Sequence, residues 1–446
     1  MIRRGIALTA SLWLLAAPAM AQGTSELTLA EAVLLARDNS LAAMQSERQV
    51  QAAQAQRAVT VGNALPTFSL QTSANYNQLP ASSGLAQLFG GSSGGGLVGF
   101  PAQGVTADTT LQGNIVLFDA FATRDAIKIA DYQLYISRLG AYQAKQESMV
   151  NAAVAYFDVL RAEGLAKVAQ DGVKQAQEHL RLGDLKLRAG TGTRAETLQL
   201  RAQLANAQGQ LTQARNGVTI ARLRLSNVLN APVADTPLFD NPKVPALDVA
   251  IGEQLPVALA RRTEVQQLEA RKQISETQID LESRATWPNL QGTTRYSQRG
   301  LNAGQFLAGV TANWALFDGF KARNRMEVAR SQAQADLVQL EQTRQNIALE
   351  IRQQYQTREE AQSRVAVARE GLQAAQEAYR LAVKRYEVGL ATPFELTDVQ
   401  TTAIQSGNNY VQAINDLRVA QIRLARAMGV DLGAFVASAP TAAPGQ

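Results

Sequence analysis

Apolar and polar residues alternate along two separate parts of the chain, and this alternation predicts β-strands. After Pro66, the positions from Phe68 to Tyr76 alternate between a mainly apolar set and a wholly polar set. In the second part, every other residue from Phe306 to Leu316 is apolar, opposite a mixed set. The pattern indicates sheet with one apolar face.

Partner strands complete two predicted β-hairpins, at about 67–118 and 289–317. Strands of about ten residues have the length that a tilted strand needs to cross a bilayer. The same alternation also describes a soluble β-sandwich, so it does not decide between the two. Four strands are too few to close a barrel, because the smallest barrels use about eight. A spanning barrel would therefore require several chains.

Between and after the hairpins, the periodicity changes to that of long helices. Neither Phe121–Leu187 nor Phe320–Val388 contains proline. At 1.5 Å per residue, each predicted helix is about 100 Å long. Each is followed by a second helix, which gives predicted helix pairs at about 121–229 and 320–428.

The second helix of each pair carries apolar positions at alternating spacings of three and four, which is typical of coiled-coil packing. The two stripes are Thr197, Leu200, Leu204, Ala207, Leu211, Ala214, Val218, Ala221, Leu225 and Val228, and Leu396, Val399, Ala403, Ser406, Tyr410, Ala413, Leu417, Ala420, Leu424 and Ala427. Small residues beside the first stripe, Ala202, Ala205 and Gly209, favour close approach to a second neighbour. The pattern fits either a helix within a ring of helices or a plain antiparallel hairpin with one solvated face.

The chain contains two copies of one unit. Leu117-Phe118-Asp119 recurs as Leu316-Phe317-Asp318, and Gly190 recurs as Gly389, both at an offset of 199 (316 − 117 and 389 − 190). The first copy also holds a glycine- and serine-rich stretch, Ser82–Gly104, which predicts a long exposed loop. No Gly-Lys-Ser/Thr ending follows it, which argues against a phosphate-binding loop.

These features divide the chain into predicted segments. They are a signal peptide (1–21), a first repeat (22–229), a linker or equatorial segment (230–252), a second repeat (253–428) and a C-terminal tail (429–446). The signal peptide is predicted because Arg3 and Arg4 precede an apolar run that ends at the small-residue site Ala19-Met20-Ala21.

Composition excludes most catalytic chemistry. The 446 residues include no cysteine and one histidine, His179, so no thiolate site, two-histidine metal site or cofactor is expected. His179 lies among Gln177, Glu178, Leu180 and Arg181, which predicts a solvated surface side chain rather than a catalytic base. The net charge of +5 lacks the strong basic bias of a nucleic-acid-binding protein.

Polar residues cluster at the turns between the paired helices. Thr193 to Glu196 and Thr392 to Glu395 both fit the capping box, in which threonine caps the helix and glutamate returns to the cap. Asp398 lies one turn beyond Glu395 on nearly the same face and has no capping role. In a symmetric ring, these acids would recur around the axis as a negatively charged constriction.

The duplicated order of short helices, β-hairpin, Leu-Phe-Asp, long helix, glycine turn and heptad helix resembles the TolC family of outer-membrane efflux proteins. The segment from Leu27 to Asn39 and the tip from Arg385 to Asp398 are similar to characteristic family segments. The resemblance covers essentially the whole chain after residue 21.

The resemblance implies a mainly α fold with a transmembrane β part. Three chains would form a twelve-stranded outer-membrane β-barrel, continuous with a long α-helical coiled-coil barrel in the periplasm. It implies a homotrimer in outer-membrane lipid, docked to a periplasmic adaptor and an inner-membrane pump, with no enzymatic activity, cofactor or nucleic acid. The expected function is the exit duct of a tripartite efflux or type I secretion system. The alternative is a periplasmic coiled-coil adaptor.

The resemblance also assigns site residues. The constriction or gate falls on Glu196, Glu395, Asp398 and Tyr386, and the adaptor-contacting tips fall on Ala189, Gly190, Thr191, Val388, Gly389 and Leu390. Ala391 stands where a family member has an arginine that links neighbouring chains, so a gate held by that salt bridge is in doubt. Arg194 on the other tip could substitute. A ring of acids would favour cations and could bind divalent ones.

Overall fold

A computed structural model describes residues 26–77, 104–233, 235–239, 242, 244–245, 251–299 and 303–438. The predicted signal peptide and all but the last residue of the predicted glycine- and serine-rich loop lie outside these ranges. The elements, in chain order, are α1 Leu29–Asn39, α2 Leu41–Gly62, β1 Thr67–Asn77, β2 Gly104–Phe118, α3 Ala122–Arg188, α4 Arg194–Leu229, α5 Ile251–Arg261, α6 Thr263–Ser283, β3 Asn289–Arg299, β4 Gln305–Asn313, α7 Lys321–Glu387, α8 Pro393–Ala427 and α9 Leu432–Ala437.

The element order repeats once, and the long helices of the two copies match in length. Helices α3 and α7 both contain 67 residues, and α4 and α8 contain 36 and 35. They begin and end within a residue or two of the bounds expected from the sequence. Among the described helices, none combines the length and the apolar character required to pass through a membrane.

The four strands form one antiparallel sheet in the order β1-β2-β3-β4, so β1 and β4 are edge strands. Strand β4 ends at Asn313, and Trp314 and Leu316 lie beyond it, so the prediction that the strand continues through Leu316 was wrong. Asn313 pairs with Asn289, the first residue of β3. The preceding residue, Pro288, has no backbone N–H to donate, so the ladder stops there.

The aspartates of the repeated Leu-Phe-Asp motif start the two longest helices. A carboxylate oxygen of Asp119 accepts a 2.7 Å hydrogen bond from the backbone N–H of Thr123. Asp318 accepts the equivalent bond from Ala322, also at 2.7 Å. Each aspartate satisfies a backbone donor that the first turn of a helix leaves without a partner. The motif therefore marks the change from strand to helix.

Two consecutive residues with positive φ make this turn in each copy. Ala120 and Phe121 have φ of 54° and 67°, and Gly319 and Phe320 have φ of 69° and 62°. The phenylalanine of each turn packs edge-on against the phenylalanine of its motif, with ring centroids 5.9 Å and 5.6 Å apart. Side chains disfavour the left-handed region, so Ala120 carries strain that Gly319 avoids.

The helices form a layer in which α3 and α7 run from the sheet to the opposite tip. In the half of the layer nearer to the sheet, α2 packs on α3, and α6 packs on both α3 and α7. On the tip side, α4 packs on α3, and α8 packs on both α3 and α7. The order across the layer is therefore α2 or α4, then α3, then α6 or α8, then α7.

The main hydrophobic core lies where α1 and α9 cross the middle of α3. Tyr156 and Phe157 are fully buried there, together with Leu432 of α9. The Tyr156 hydroxyl donates to the carbonyl oxygens of Leu27 and Phe239, at 2.9 Å and 3.0 Å. These bonds link the segment before α1 and the segment after α4 to the middle of α3.

The predicted heptad stripes are the packed faces of α4 and α8. Leu200, Ala207 and Leu225 are buried on α4, and Leu396 and Leu424 are buried on α8. Every other stripe residue is at least half-buried. The small residues beside the first stripe, Ala202, Ala205 and Gly209, are exposed in the single chain.

Candidate gate at the helix tips

The turns at the tips share one backbone geometry. Gly190 and Gly389 have φ of 73° and 78°, in the left-handed region that glycine enters without cost. The N–H of Thr191 donates to the carbonyl of Lys186 at 3.0 Å, and the N–H of Leu390 makes the corresponding bond at 2.8 Å. This is the Schellman motif, which satisfies carbonyls at a helix end and explains both glycines.

Both predicted capping boxes are present. The hydroxyls of Thr193 and Thr392 accept the N–H of Glu196 and Glu395, each at 3.2 Å. Each glutamate in turn accepts the N–H of its threonine, at 3.1 Å and 3.4 Å. In this arrangement each carboxylate is held at the first turn of its helix by one oxygen. The capping interpretation is confirmed.

The Asp398 carboxylate is exposed, and among the described residues it makes no hydrogen bond or ion pair. Glu395 is also exposed, whereas Glu196 is half-buried. Within the described part of one chain, no group of three or more acidic or histidine side chains is placed to hold a metal ion. The acids therefore do not form a metal centre in this part of a single chain.

Tyr386 is the buried centre of the tips, with 2 % of its surface exposed. The Lys186 ammonium of α3 lies 3.8 Å from the centroid of its ring and donates a hydrogen bond to the Tyr386 carbonyl oxygen. Burial raises the pKa of the Tyr386 hydroxyl, and the nearby Glu196 carboxylate raises it further. Tyr386 therefore joins the end of α7 to both helices of the first pair.

A close helix contact supports this centre. A Cβ added to Gly183 of α3 would lie 2.6 Å from a methyl carbon of Leu200 on α4, and 3.8 Å from the Tyr386 hydroxyl. Glycine in a helix interior costs up to about 1 kcal/mol relative to alanine. Here it allows α3 and α4 to approach closely beneath the tyrosine. Neither Lys186 nor Gly183 was identified from the sequence, although an isolated glycine inside a predicted long helix was an available signal.

His179 belongs to a second layer of packed side chains, which lies one heptad before Lys186. Its other members are Tyr379 and Gln400, and we call it the His179 layer. The prediction of a solvated histidine was wrong, because only 1 % of His179 is exposed. Its Nε2 lies 2.9 Å from the hydroxyl of Tyr379, which is one heptad before Tyr386. Residues 177–181 suggested a surface position, but α7 and α8 both cover this face of α3.

Gln400 of α8 is buried in the same layer and bonds to α3. Its amide donates a 3.2 Å hydrogen bond to the carbonyl oxygen of Gly172, one heptad before His179 on α3. Desolvation by burial lowers the pKa of His179 to about 4, although the nearby Gln400 side chain and the Glu178 carboxylate oppose the shift. Burial raises the pKa of the Tyr379 hydroxyl to about 12. The His179 layer is therefore uncharged at neutral pH.

The remaining tip residues are at the surface. Val388 and Leu390 are each 71 % exposed, and Phe394 is 70 % exposed, so the second tip presents a cluster of apolar side chains. Thr191 and Arg194 of the first tip are also exposed, and Arg194 makes no ion pair within the described residues. The structure thus brings Tyr386 close to Glu196, but it does not join Glu395 or Asp398 to either.

The sequence profile of the family described as outer membrane efflux protein matches residues 32–231 and 255–430. The outer membrane efflux protein BepC of Brucella suis is 24 % identical over 332 residues, covering 73 % of this chain and 72 % of BepC. The pyoverdine export outer membrane protein OpmQ of Pseudomonas putida is 23 % identical over 437 residues, covering 93 % and 87 %.

Solved structures show the same fold. The crystal structure of CusC superposes with a TM-score of 0.75 at 16 % identity, covering 90 % of this chain and 92 % of CusC. The outer membrane protein VceC of Vibrio cholerae superposes with a TM-score of 0.73 at 15 % identity, covering 91 % and 96 %.

Proposed function

The chain belongs to the outer membrane efflux protein family, and on this premise we propose that three copies of it form the passive exit duct of a tripartite efflux or type I secretion system. The duct receives its cargo from an inner-membrane pump and conducts it across the periplasm and the outer membrane. The repeat boundaries expected from the sequence, 22–229 and 253–428, are part of this proposal.

Family membership confirms the resemblance and the predicted location in the outer membrane, with extension into the periplasm. The periplasmic adaptor alternative loses its support for the same reason. The family comprises efflux proteins, and the solved relatives include outer-membrane channels rather than enzymes. We accordingly propose a duct without catalytic activity.

The observation that carries the proposal is an open four-stranded sheet with an exposed apolar face. Both edge strands lack a further strand among the described residues, and Phe68, Leu70, Phe306 and Val310 are exposed on one face. Unpaired strand edges and a contiguous exposed apolar face are unfavourable in water. Three copies joined edge to edge would satisfy the edges as a twelve-stranded barrel, and lipid would cover the apolar face.

The helical layer also has two open edges, and these suggest how the copies join. Along α7, Val328, Val338 and Val367 are exposed. On the opposite edge, a groove between α2, α3 and α4 exposes Leu41 and Leu223. We propose that α7 of one copy packs against the α2 and α4 edge of the next, closing a ring of helices.

The tip contacts would hold this ring closed at its periplasmic end. The Tyr386–Lys186 contact fixes α7 against α3, so opening requires the second helix pair to move away from the first. A partner that binds the separated arrangement more tightly would open the duct. In the trimer, Glu196, Glu395 and Asp398 would recur as the acidic constriction, and Arg194 could pair between chains in place of the arginine that Ala391 replaces.

The adaptor contact is proposed at the two tips, Gly190–Thr191 and Val388-Gly389-Leu390. The exposed apolar side chains of Val388, Leu390 and Phe394 support this assignment, because a solvated tip does not need them. Gly190 and Gly389 are exposed, so the backbone of both turns is accessible. The partner would cover this apolar cluster on docking.

Deleting the gene and restoring it in variant form tests the proposal. Cells without the protein should retain dyes or secreted proteins, and the wild-type gene should restore their release. Leu390→Asp should not restore release although trimers form in the outer membrane, whereas Leu390→Met should restore it. Unchanged release in the deletion strain would refute the exit duct. Full release with Leu390→Asp would refute only the tip contact.

A further inference from the structure

The β part of the chain contains very few charged residues. Between 67 and 118 and between 289 and 317, the sequence has Asp108, Arg295 and Arg299 and no other ionised side chain. The long loop that joins the first two strands contributes none of them. The electrostatic field of this whole part therefore depends on three residues per chain.

Two of the three charges occupy paired positions and have opposite signs. Asp108 of β2 lies opposite Arg299 of β3 in the register, at the end of the sheet farther from the helices. Arg295 lies four residues nearer to the helices and pairs with Gln112 of β2 and Leu307 of β4. It makes no ion pair or hydrogen bond through its side chain among the described residues. The β part thus has a net charge of +1 per chain, which is the charge of Arg295.

The register places Arg295 on the polar face of the sheet. A Cβ added to Gly113 would lie 2.6 Å from the Thr294 hydroxyl oxygen and 2.8 Å from the Phe68 ring, so these three residues share a face. Arg295 follows Thr294 directly and therefore points to the other face.

The other members of this face are mainly polar. Gln112 donates a 3.1 Å hydrogen bond to Asn114 along β2, which places both side chains on one side of the sheet. Leu307 is the apolar exception beside them, and it is exposed. The opposite face carries Phe68, Leu70, Phe306 and Val310. Because lipid covers the apolar face in an outer-membrane barrel, the face of Arg295 lines the interior.

We propose that Arg295 lines the lumen of the outer-membrane part of the duct and makes this part favour anions. This inference rests on the proposed trimeric duct. Three copies of Arg295 would form one ring of positive charge, on a face whose other charged positions, Asp108 and Arg299, carry opposite signs and whose remaining positions are mainly amides, hydroxyls and small side chains. The ring lies at the opposite end of the duct from the acidic residues of the tips. The ligands that it would favour are small anions and anionic groups of the cargo as they leave.

The absence of cysteine provides a local test. Gln112→Cys places a single thiol directly across from Arg295, in a chain with no other thiol. Its reaction with an anionic and a cationic methanethiosulfonate reagent of similar size, applied to whole cells, compares the local concentrations of the two charges. Because both reagents enter from outside, the acidic tips do not influence the ratio.

The expected change follows from simple electrostatics. Gln112 lies opposite Arg295 of its own chain, so one charge about 6 Å away through water, screened at ~0.1 M salt, changes the local concentration of each monovalent ion about twofold. Adding Arg295→Gln to Gln112→Cys should therefore lower the ratio of anionic to cationic reaction rates about fourfold. At ~1 M salt, where the screening length is about 3 Å, the difference should disappear.

Matched variants separate charge from structure. Arg295→Lys keeps the charge and should keep the ratio, and Leu307→Gln changes the lining beside Arg295 without a charge and should also keep it. Gln291→Cys, about 13 Å along the same face of β3, should respond less than Gln112→Cys. Trimer formation is checked for each variant by electrophoresis without heating.

An unchanged ratio in Arg295→Gln, with the thiol still reactive, would overturn the role of Arg295 and leave the duct standing. Reaction of Thr294→Cys but not of Gln112→Cys would overturn the face assignment. If neither thiol reacted in assembled trimers and the wild-type gene restored no export, the proposed duct itself would fall.

Discussion

We expect the buried His179 to make the tips sensitive to acid. With a pKa of about 4 in the folded tips and about 6.5 when exposed, its neutral form is the one that folding favours. Above pH ~6.5, where an exposed histidine is also neutral, burial of His179 does not weaken the closed tips. As the pH falls from about 6.5 towards 4, the closed tips lose stability, because the opened state then binds a proton that the closed state excludes. Acid should therefore open the layer formed with Tyr379 and Gln400.

The size of the effect follows from the two pKa values. At pH 5, the difference in proton binding destabilises the closed layer by about 2 kcal/mol relative to neutral pH. Opening should then be about thirtyfold more frequent, since 1.4 kcal/mol corresponds to a factor of ten. The groups that face His179 are the Tyr379 hydroxyl of α7, the Gln400 amide of α8 and the neighbouring Glu178 carboxylate of α3.

Hydrogen exchange followed by mass spectrometry measures this opening directly. Backbone amides near His179 on α3 and near Tyr379 on α7 should lose protection at pH 5, after correction for the intrinsic pH dependence of exchange. His179→Gln has no titrating group and should show equal protection at both pH values. Peptides from the Tyr156 core serve as the internal control. Equal protection of the wild-type tips at pH 5 and pH 7.5, or the same loss in His179→Gln, would refute the reasoning.

Three other predictions concern the turns, the constriction and the helix contact. Gly319→Ala should lower the free energy of unfolding by about 1 kcal/mol because of its positive φ, and Ala120→Gly should raise it, as measured by thermal unfolding of the trimer; equal melting temperatures would contradict this. Replacing both Glu395 and Asp398 by alanine should weaken the cation selectivity of the reconstituted duct, read from reversal potentials, and an unchanged selectivity would rule out the constriction. Gly183→Val should separate α3 from α4 and increase conductance of the closed duct, whereas unchanged conductance would show that this contact does not hold the gate.

The parts of the fold that repeat locally could be predicted from the sequence. The stripe from Leu200 to Leu225 and its counterpart around Leu396 have a period that only a packed helix explains. The capping boxes of Glu196 and Glu395 depend on residues three positions apart. Each of these features is decided within one or two helical turns, so no knowledge of the tertiary contacts is required.

The contacts that cross between distant elements could not be predicted in the same way. His179 has polar neighbours along its own helix, and its burial depends on Tyr379 and Gln400, which are about 200 residues away. Lys186 likewise stacks on Tyr386 across two helices. The end of β4 depends on where β3 loses its hydrogen-bond donors, at Pro288. In each case the deciding partner lies on another element.

The equal lengths of α3 and α7, 67 residues each, fix how far the helical part of the molecule extends into the periplasm. Each helix spans about 100 Å, because its 67 residues rise about 1.5 Å each. Adding one heptad to α3 alone would move His179 and Lys186 about 10 Å past their partners on α7. A change in reach must therefore be made in both repeats at once, and in whole heptads. Substitutions can therefore be made independently in the two repeats, whereas an insertion in one long helix must be matched in the other.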